Sequence, residues 1–392
     1  MNKEQNEVKH RMTRRLNGWD YRQCAIYFIT LVLQDRTFPW LGRLVCKESN
    51  GGVKPTMQLT DYGHACLAAL EELPKHYPQV RLIEQQVMPE HVYAVLFVQQ
   101  ALPVPLGNLI RGLKAGARKR WKQIGEAHGS KTPQWATGFQ DTVLLYEHQL
   151  VKMCAYVRDN PRRLAEKQRH PQYFCNVRRI ELPLYQTSLV GCFQALGNLA
   201  LLNYPLFQVQ CSRRWFTYQR ANMRNGGLKI LRDAQGEPQV AQHTPEYQSV
   251  LNEAFCAVEK GWVLLSPCIS DGERQIAREV LKRGGRLIVF RNKGFPARGE
   301  KPSGRAFDAC VQGRLLQLAP GAWPYVANEK PMTRVDAVVL NRLAQWIAAE
   351  NAAHITYRGY QPKEVDELAK KAVLAKVVNR SKNGPAQDIH QS

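Results

Sequence analysis

The sequence predicts a mixed α/β chain of two domains, and three observations predict it. Its 392 residues exceed the roughly 250–300 at which a single hydrophobic core stops growing. Short runs rich in β-branched and aromatic residues alternate with stretches whose apolar residues recur at helical spacing. The order of these runs also changes along the chain, from βαββαβα in the first half to strands strictly alternating with helices in the second. An apolar content of 44% is enough to give each half a core.

In the first half, Cys24–Leu33 (CAIYFITLVL) reads as a strand. Thr60 caps a helix whose apolar set is Cys66, Leu67, Leu70 and Leu73. Val80–Val87 and His91–Val98 are strands, separated by Met88-Pro-Glu. Leu106, Leu109, Ile110, Leu113, Ala117 and Trp121 mark one face of a long helix. A short strand follows at Phe139–Leu145. A last helix is marked by Leu150, Met153, Cys154 and Val157, and it is expected to stop before Pro161. A split βαβ sheet with helices on one face, the ferredoxin-like arrangement, closes this order naturally.

In the second half, strands are expected at Phe207–Cys211, Val263–Leu265, Leu287–Phe290 and Leu315–Leu318. Helices are expected around Tyr247–Glu259, Glu273–Arg283 and Arg334–Ala349. Short, continuously apolar strands between helices indicate a parallel sheet covered on both faces, a Rossmann-like α/β domain. The polar stretch from Asn160 to His170 ends the first periodic region, which places the boundary between Phe174 and Leu189. The expected division is a basic extension over 1–16, a ferredoxin-fold domain over 17–180, a Rossmann-like domain over 189–356 and a basic tail over 357–392. Val365–Val378 in that tail has helical character.

Lys and Arg number 55 against 33 Asp and Glu, a formal charge of +22, and the excess runs through both halves. An anionic partner follows, most often nucleic acid. No apolar run approaches the ~18 residues of a membrane span. The start, MNKEQNEVKHRMTRR, lacks the apolar segment of a secretory signal. Ten cysteines without a C-x-x-C pair argue against a zinc ribbon or disulfide framework and for reduced thiols in a cytoplasm.

Strand alternation points His91 and Tyr93 to the same side. Tyr156 and Asn160, four apart on a helix, share a face with Lys152. If that helix covers the sheet, a phenol, an amide and an imidazole converge. Arg111, Lys114, Arg118, Lys119, Arg120 and Lys122 form a basic run with no acid among them, read as a phosphate-contacting face. Arg162 and Arg163, just past the Tyr156 helix, would extend it. In the second half, two loops follow strand C-termini, where open α/β sheets bind ligands. One carries Ser212 and Arg213. The other runs from Ser266 through Ser270 and Gly272 into a helix, a pattern read as a phosphate cradle.

Four blocks carry a resemblance: Trp19-Asp20-Tyr21-Arg22; Ile26–Leu33 followed by Gln34-Asp35-Arg36; Met88-Pro-Glu-His-Val-Tyr93; and Tyr156-Val-Arg-Asp-Asn-Pro161. In this order they resemble the single-tyrosine HUH transposases, and among them the REP-associated tyrosine transposases, from about Asn17 to Arg163. The resemblance implies a ferredoxin-like fold, a Mg²⁺ or Mn²⁺ ion held by a His-x-His pair, and a tyrosine that cleaves single-stranded or hairpin DNA through a 5′-phosphotyrosine link. It implies Tyr156 as nucleophile, His91 as a metal ligand, Asn160 at the helix-borne ligand position, and a homodimer. Tyr93 stands where the family's second histidine would be, and a neutral phenol is a poor ligand for a hard cation.

Cys211-Ser-Arg213, Gly261-Trp-Val-Leu-Leu-Ser266, Ser270–Arg278 and Gly284–Phe290 are similar to the DNA-processing protein A and lysine-decarboxylase-like Rossmann superfamily, over about Gly197–Asn351. That resemblance implies phosphate contacts from the two serine-bearing loops, although Pro267 and Cys268 replace the family's glycine-rich second loop. The sequence is thus compatible with a transposase-like enzyme that cuts and rejoins DNA through Tyr156. The alternative is a domesticated, non-cleaving DNA-binding protein that has a degenerate metal site. The sequence is less compatible with a nucleotide-binding or nucleotide-hydrolysing Rossmann protein.

Overall fold

The apolar run after Cys24 forms β1 (Ala25–Val32), and its alternation serves two layers. Tyr27, Ile29 and Leu31 enter one core, while Ile26 and Phe28 pack into another. The computed structural model describes Leu16 and residues 18–49, 52–129, 131–185, 187–209, 211, 216–218, 220–223, 227–230, 240–296, 302, 304–326, 330–348 and 362–374. The chain divides into two units, Met1–Arg169 and His170–Ser392. The expected extension over 1–16 lies outside the described residues except for Leu16, as does most of the tail.

In the first unit, β1 is followed by a hairpin of β2 (Gly42–Ser49) and β3 (Gly52–Leu59). Then come α1 (Asp61–Glu71), the short α2 (Leu73–His76), β4 (Val80–Val87), β5 (His91–Val98), α3 (Leu106–His128), β6 (Gln140–Leu144) and α4 (Glu147–Arg169). Thr60 caps α1 as expected, its side chain accepting from the Gly63 N–H at 3.2 Å. Gly129 ends α3 in the left-handed region at φ 59°, which suits a residue without Cβ. The antiparallel sheet has the order β4-β5-β1-β6, the ferredoxin-like arrangement.

Three features depart from expectation. The β2–β3 hairpin was not foreseen. Helices also cover both faces of the sheet. α1 and α3 pack on the side of Ile29, Val92 and Leu96, and α4 packs on the side of Phe28, Tyr93 and Val95. α4 does not stop before Pro161 but runs through it to Arg169. A proline inside a helix costs about 3 kcal/mol. Cys154, Val157 and Ala165, buried on either side of it, offset that through packing.

The second unit starts earlier than the expected boundary. β7 (Cys175–Leu184) pairs antiparallel with β8 (Leu189–Gly197) in a six-stranded sheet of order β7-β8-β16-β15-β14-β9. The division therefore falls at Arg169, not between Phe174 and Leu189, and residues 175–180 leave the first domain. The polar stretch read as the end of the first periodic region is the last turns of α4. β9 (Leu206–Gln208), β14 (Val263–Ser266), β15 (Arg286–Phe290) and β16 (Leu315–Pro320) form the parallel part. α5 (Pro245–Glu259), α6 (Asp271–Lys282) and α7 (Gly304–Val311) lie on one face. α8 (Arg334–Ala348) and α9 (Pro362–Val373) lie on the other. The doubly covered parallel sheet is as expected. The antiparallel pair β7–β8, the helix α7 and two small ladders, β10 (Phe216–Tyr218) with β13 (Val240–His243) and β11 (Arg220–Met223) with β12 (Gly227–Ile230), were not. α9 packs Ala369, Ala372 and Val373 into the α8 face, so part of the expected tail belongs to the core. Among the described residues no helix is long and apolar enough to cross a membrane.

Candidate functional site

The alternation of β5 sends Val92, Ala94 and Leu96 toward α1 and α3, and His91, Tyr93 and Val95 toward α4. There the Tyr93 hydroxyl lies 3.4 Å from the Tyr156 hydroxyl. The His91 and Tyr93 rings meet edge-on at 4.6 Å. Phe28 stacks on Tyr93 at 5.4 Å and meets Tyr156 edge-on at 6.2 Å. The guanidinium of Arg163 sits 5.2 Å over the Tyr156 ring, a cation–π contact that Arg163 makes while itself buried. Of the phenol, amide and imidazole expected to converge, Tyr156 and His91 both lie against Tyr93, whereas the Asn160 amide turns back onto its own helix.

Glu90 was not foreseen. Its carboxylate lies 2.9 Å from His91 Nδ1. A proton on Nδ1 facing a carboxylate leaves the Nε2 lone pair pointing away. Nε2 is buried without a hydrogen-bond partner, a donor atom open to a ligand. Asn160 is buried nearby on α4, but its amide nitrogen donates back to the Tyr156 carbonyl at 2.6 Å. Burial pushes the Tyr93 phenol well above its ordinary value. The neighbouring Tyr156 and Glu90 push it the same way, while Arg163 opposes them. Tyr93 is therefore a neutral oxygen at physiological pH.

These donors do not fit a hard divalent cation. Such ions take anionic oxygens or several strong ligands. The cluster offers one imidazole, the two phenols of Tyr93 and Tyr156 and one amide already folded onto its own helix, while its carboxylate, Glu90, is engaged with His91 Nδ1. Among the described residues no group of three or more His, Cys, Asp or Glu is placed to hold a metal.

The basic residues do not form one surface with this cluster. α3 lies on the opposite face of the sheet from α4, so a strand laid along α3 would not run past Tyr156. Lys114 Nζ donates to the Ala136 carbonyl at 2.9 Å and to that of Gly138. It holds the loop before β6, and burial lowers its pKa. Arg120 pairs with Glu72 at 2.5 Å. Arg111, Arg118, Lys119 and Lys122 are exposed, and all but Lys119 follow one stripe of α3. On α4, Lys152 is exposed and Arg162 pairs with Asp159 at 2.5 Å. Arg162 and Arg163 lie inside α4, not beyond its end, and Arg163 supports the Tyr156 ring instead of facing solvent.

In the second unit, Ser212 and Arg213 lie outside the described residues. The β14–α6 loop is occupied by its own side chains. Ser266 is fully buried, and its hydroxyl accepts from the Cys268 N–H at 3.1 Å. Ser270 caps α6 by accepting from the Glu273 N–H at 3.1 Å. The buried Glu273 carboxylate accepts from the Ile269 N–H at 2.8 Å and the Cys211 N–H at 3.5 Å. Arg274 donates to the Cys268 and Ile269 carbonyls at 3.0 and 2.9 Å. At Gly272 a Cβ would lie 2.2 Å from Cys211 Sγ, so glycine there admits Cys211 to the helix start and not a ligand. The N–H groups of Cys268, Ile269 and Glu273 in this loop are taken by Ser266, Glu273 and Ser270. Burial raises the Glu273 pKa against the lowering effect of those hydrogen bonds.

No protein-family model matches the chain. A protein of Haemophilus influenzae described only as uncharacterized is 24% identical over 174 residues, covering 39% of this chain and 89% of that protein. Among solved structures, a REP-associated tyrosine transposase bound to a REP hairpin is similar over 37% of this chain and 70% of its own, with 17% identity and a TM-score of 0.27. A protein of Deinococcus radiodurans described as a candidate transposase is similar over 37% of this chain and 97% of its own, with 14% identity and a TM-score of 0.23.

Proposed function

We propose that the first unit is a transposase-like domain that binds single-stranded or hairpin DNA without cutting it. One observation carries the second half of that reading: the metal-binding position opposite His91 is filled by Tyr93, a buried phenol held neutral and in contact with Tyr156. DNA cleavage by a phenol requires the phosphodiester charge to be neutralised and the phosphate oriented, and a single imidazole with neutral oxygens holds a divalent ion poorly. The binding half is supported by the +22 charge and by the exposed cations of α3, which do not depend on the metal position. All ten cysteines are free thiols, which suits a cytoplasmic protein. The second unit, whose strand-end loop is closed by Glu273, is read as a scaffold for assembly, including a homodimer, more than as a nucleotide hydrolase.

A second reading keeps Tyr156 as a nucleophile that forms a 5′-phosphotyrosine link with Mg²⁺ or Mn²⁺. The unpartnered His91 Nε2 and the half-buried Tyr156 beneath Arg163 favour it. Incubation of the full chain with labelled hairpin DNA and Mn²⁺, followed by a denaturing gel and a parallel binding assay, separates the two. Binding without a covalent band is the expected outcome. A band that disappears in Tyr156→Phe establishes the second reading, and absence of binding removes both.

A further inference from the structure

A groove of about 390 Å³ opens on the first unit at the start of α1 and the end of α3, away from the Tyr93–Tyr156 cluster. Three aromatic rings line it in sequence. Phe38 meets Trp40 at 4.7 Å and Trp40 meets Tyr62 at 6.2 Å, both edge to face. Phe38 is 55% exposed, an unfavourable place for a phenyl ring unless something covers it. Trp40 and Tyr62 are held in place. The Trp40 indole N–H donates to Asp35 at 3.2 Å, and Asp35 also accepts from the Thr37 hydroxyl and N–H. The Tyr62 hydroxyl donates to the Lys131 carbonyl at 3.1 Å. Ile124 supplies an apolar floor, and the rim is polar, with Asp61 3.8 Å from His128 and Lys131 beside them.

We propose that this groove takes one unpaired nucleobase of a DNA strand, stacked on Phe38, an inference that rests on the DNA-binding reading above. Flat apolar rings present the face that every base stacks on. The Asp61 carboxylate accepts from exocyclic amino groups, and His128 and Lys131 supply donors for ring nitrogens, carbonyls or a neighbouring phosphate. Charge complementarity selects a polyanion over an apolar peptide. α3, which lines the groove through Ile124 and His128, also exposes Arg118, Lys119 and Lys122 in the preceding turns. Because Trp40 and Tyr62, against which Phe38 packs, are anchored before any ligand arrives, less ordering is lost on binding.

The test uses the full chain with two labelled DNAs at one salt concentration. One is a blunt hairpin; the other is the same hairpin with a short single-stranded flank containing 2-aminopurine. The flank is expected to strengthen binding and the 2-aminopurine fluorescence to be quenched on stacking. Phe38→Ala is expected to weaken binding of the flanked hairpin by about 5- to 150-fold, with the blunt hairpin unaffected and Phe38→Tyr close to wild type. Phe38 is half in solvent, so these changes leave the core intact. Equal affinity of the wild-type chain for the two DNAs, or an equal loss on both in Phe38→Ala, overturns the groove while leaving DNA binding standing. Failure of the wild-type chain to bind either DNA overturns the DNA reading and the groove with it.

Discussion

Tyr93 decides more of this site's chemistry than any other residue. Its side chain takes the position beside His91 that the pleat of β5 offers to a second ligand, and it meets Tyr156 hydroxyl to hydroxyl at 3.4 Å. Replacing it by histidine restores a second imidazole on the same face at a smaller side-chain volume. Tyr93→His is therefore expected to strengthen Mn²⁺ binding by on the order of 10–100-fold, measured by calorimetry on the two full chains. Equal affinity would show that position 93 does not reach the ion that His91 Nε2 would hold. The companion change Tyr156→Phe removes one hydroxyl and keeps the ring under Arg163, so unfolding free energy is expected to fall by less than ~1.5 kcal/mol, as followed by denaturant titration. At this scale the sequence was informative where geometry is local. Strand alternation placed His91 and Tyr93 together, and helix spacing placed Tyr156 and Asn160. Phe28 escaped notice because its role exists only across the sheet, and Glu90 because adjacency in sequence does not tell that its carboxylate turns onto the His91 ring. Asn160 lies on α4 one turn after Tyr156, but nothing in a four-residue spacing tells that its amide returns to the Tyr156 carbonyl.

The elements that bear the two candidate sites show the same division between local and tertiary information. α3 was legible in full, since all six of its apolar marks are buried. Which face of the sheet it covers was not legible, because an amphipathic stripe reports that a helix packs but not on what. The basic run therefore joined the tyrosine cluster in the sequence and lies behind the sheet from it in the fold. The β2–β3 hairpin had a signal, Asn50-Gly51 between two short runs, which is a strong hairpin dipeptide. α4 shows packing overriding a proline. In the second unit, the serines and glycine before α6 looked like a phosphate cradle, and the hidden variable was Glu273, whose carboxylate fills it. This carries a pH signature. The Glu273 pKa is raised in the fold above its ordinary 4.5, so in the window from 4.5 upward the folded state binds more protons than the unfolded one. Stability contributed by this group falls as pH rises through that window. Glu273→Gln has no such titration. The stability difference between wild type and variant, measured by denaturant titration at a series of pH values, is expected to shift in the variant's favour from pH 4.5 upward and then level off. A pH-independent difference would mean that the carboxyl titrates alike in both states.

For the whole molecule the governing quantity is the charge, +22 over 392 residues, and the structure indicates which part of it can meet a polyanion. Ion pairs consume some of it: Arg120 with Glu72, Arg158 with Glu84 and Arg162 with Asp159. Lys114 is turned onto loop carbonyls, and Arg163 is buried against Tyr156. The exposed stripe of α3 keeps Arg111, Arg118 and Lys122 in solvent, Lys122 in an exposed i,i+4 pair with Glu126 at 3.6 Å. Each phosphate contact releases condensed counterions, about 0.9 per contact on duplex and 0.7 on single strands, and the slope of log K against log salt counts them. Changing Arg111, Arg118 and Lys122 together to Gln is expected to reduce that slope by about two to three units if all three touch phosphates. Changing Lys114 to Met is expected to leave the slope unchanged, although it weakens the fold by freeing the Ala136 and Gly138 carbonyls. Titrations of labelled hairpin DNA at several salt concentrations read both variants. A slope that drops in the Lys114 variant would bring the DNA path to the loop before β6, where Lys114 sits. A slope that stays constant in the triple variant would move the path off the α3 stripe and leave the exposed Lys152 of α4 to put the strand on the face that holds Tyr156.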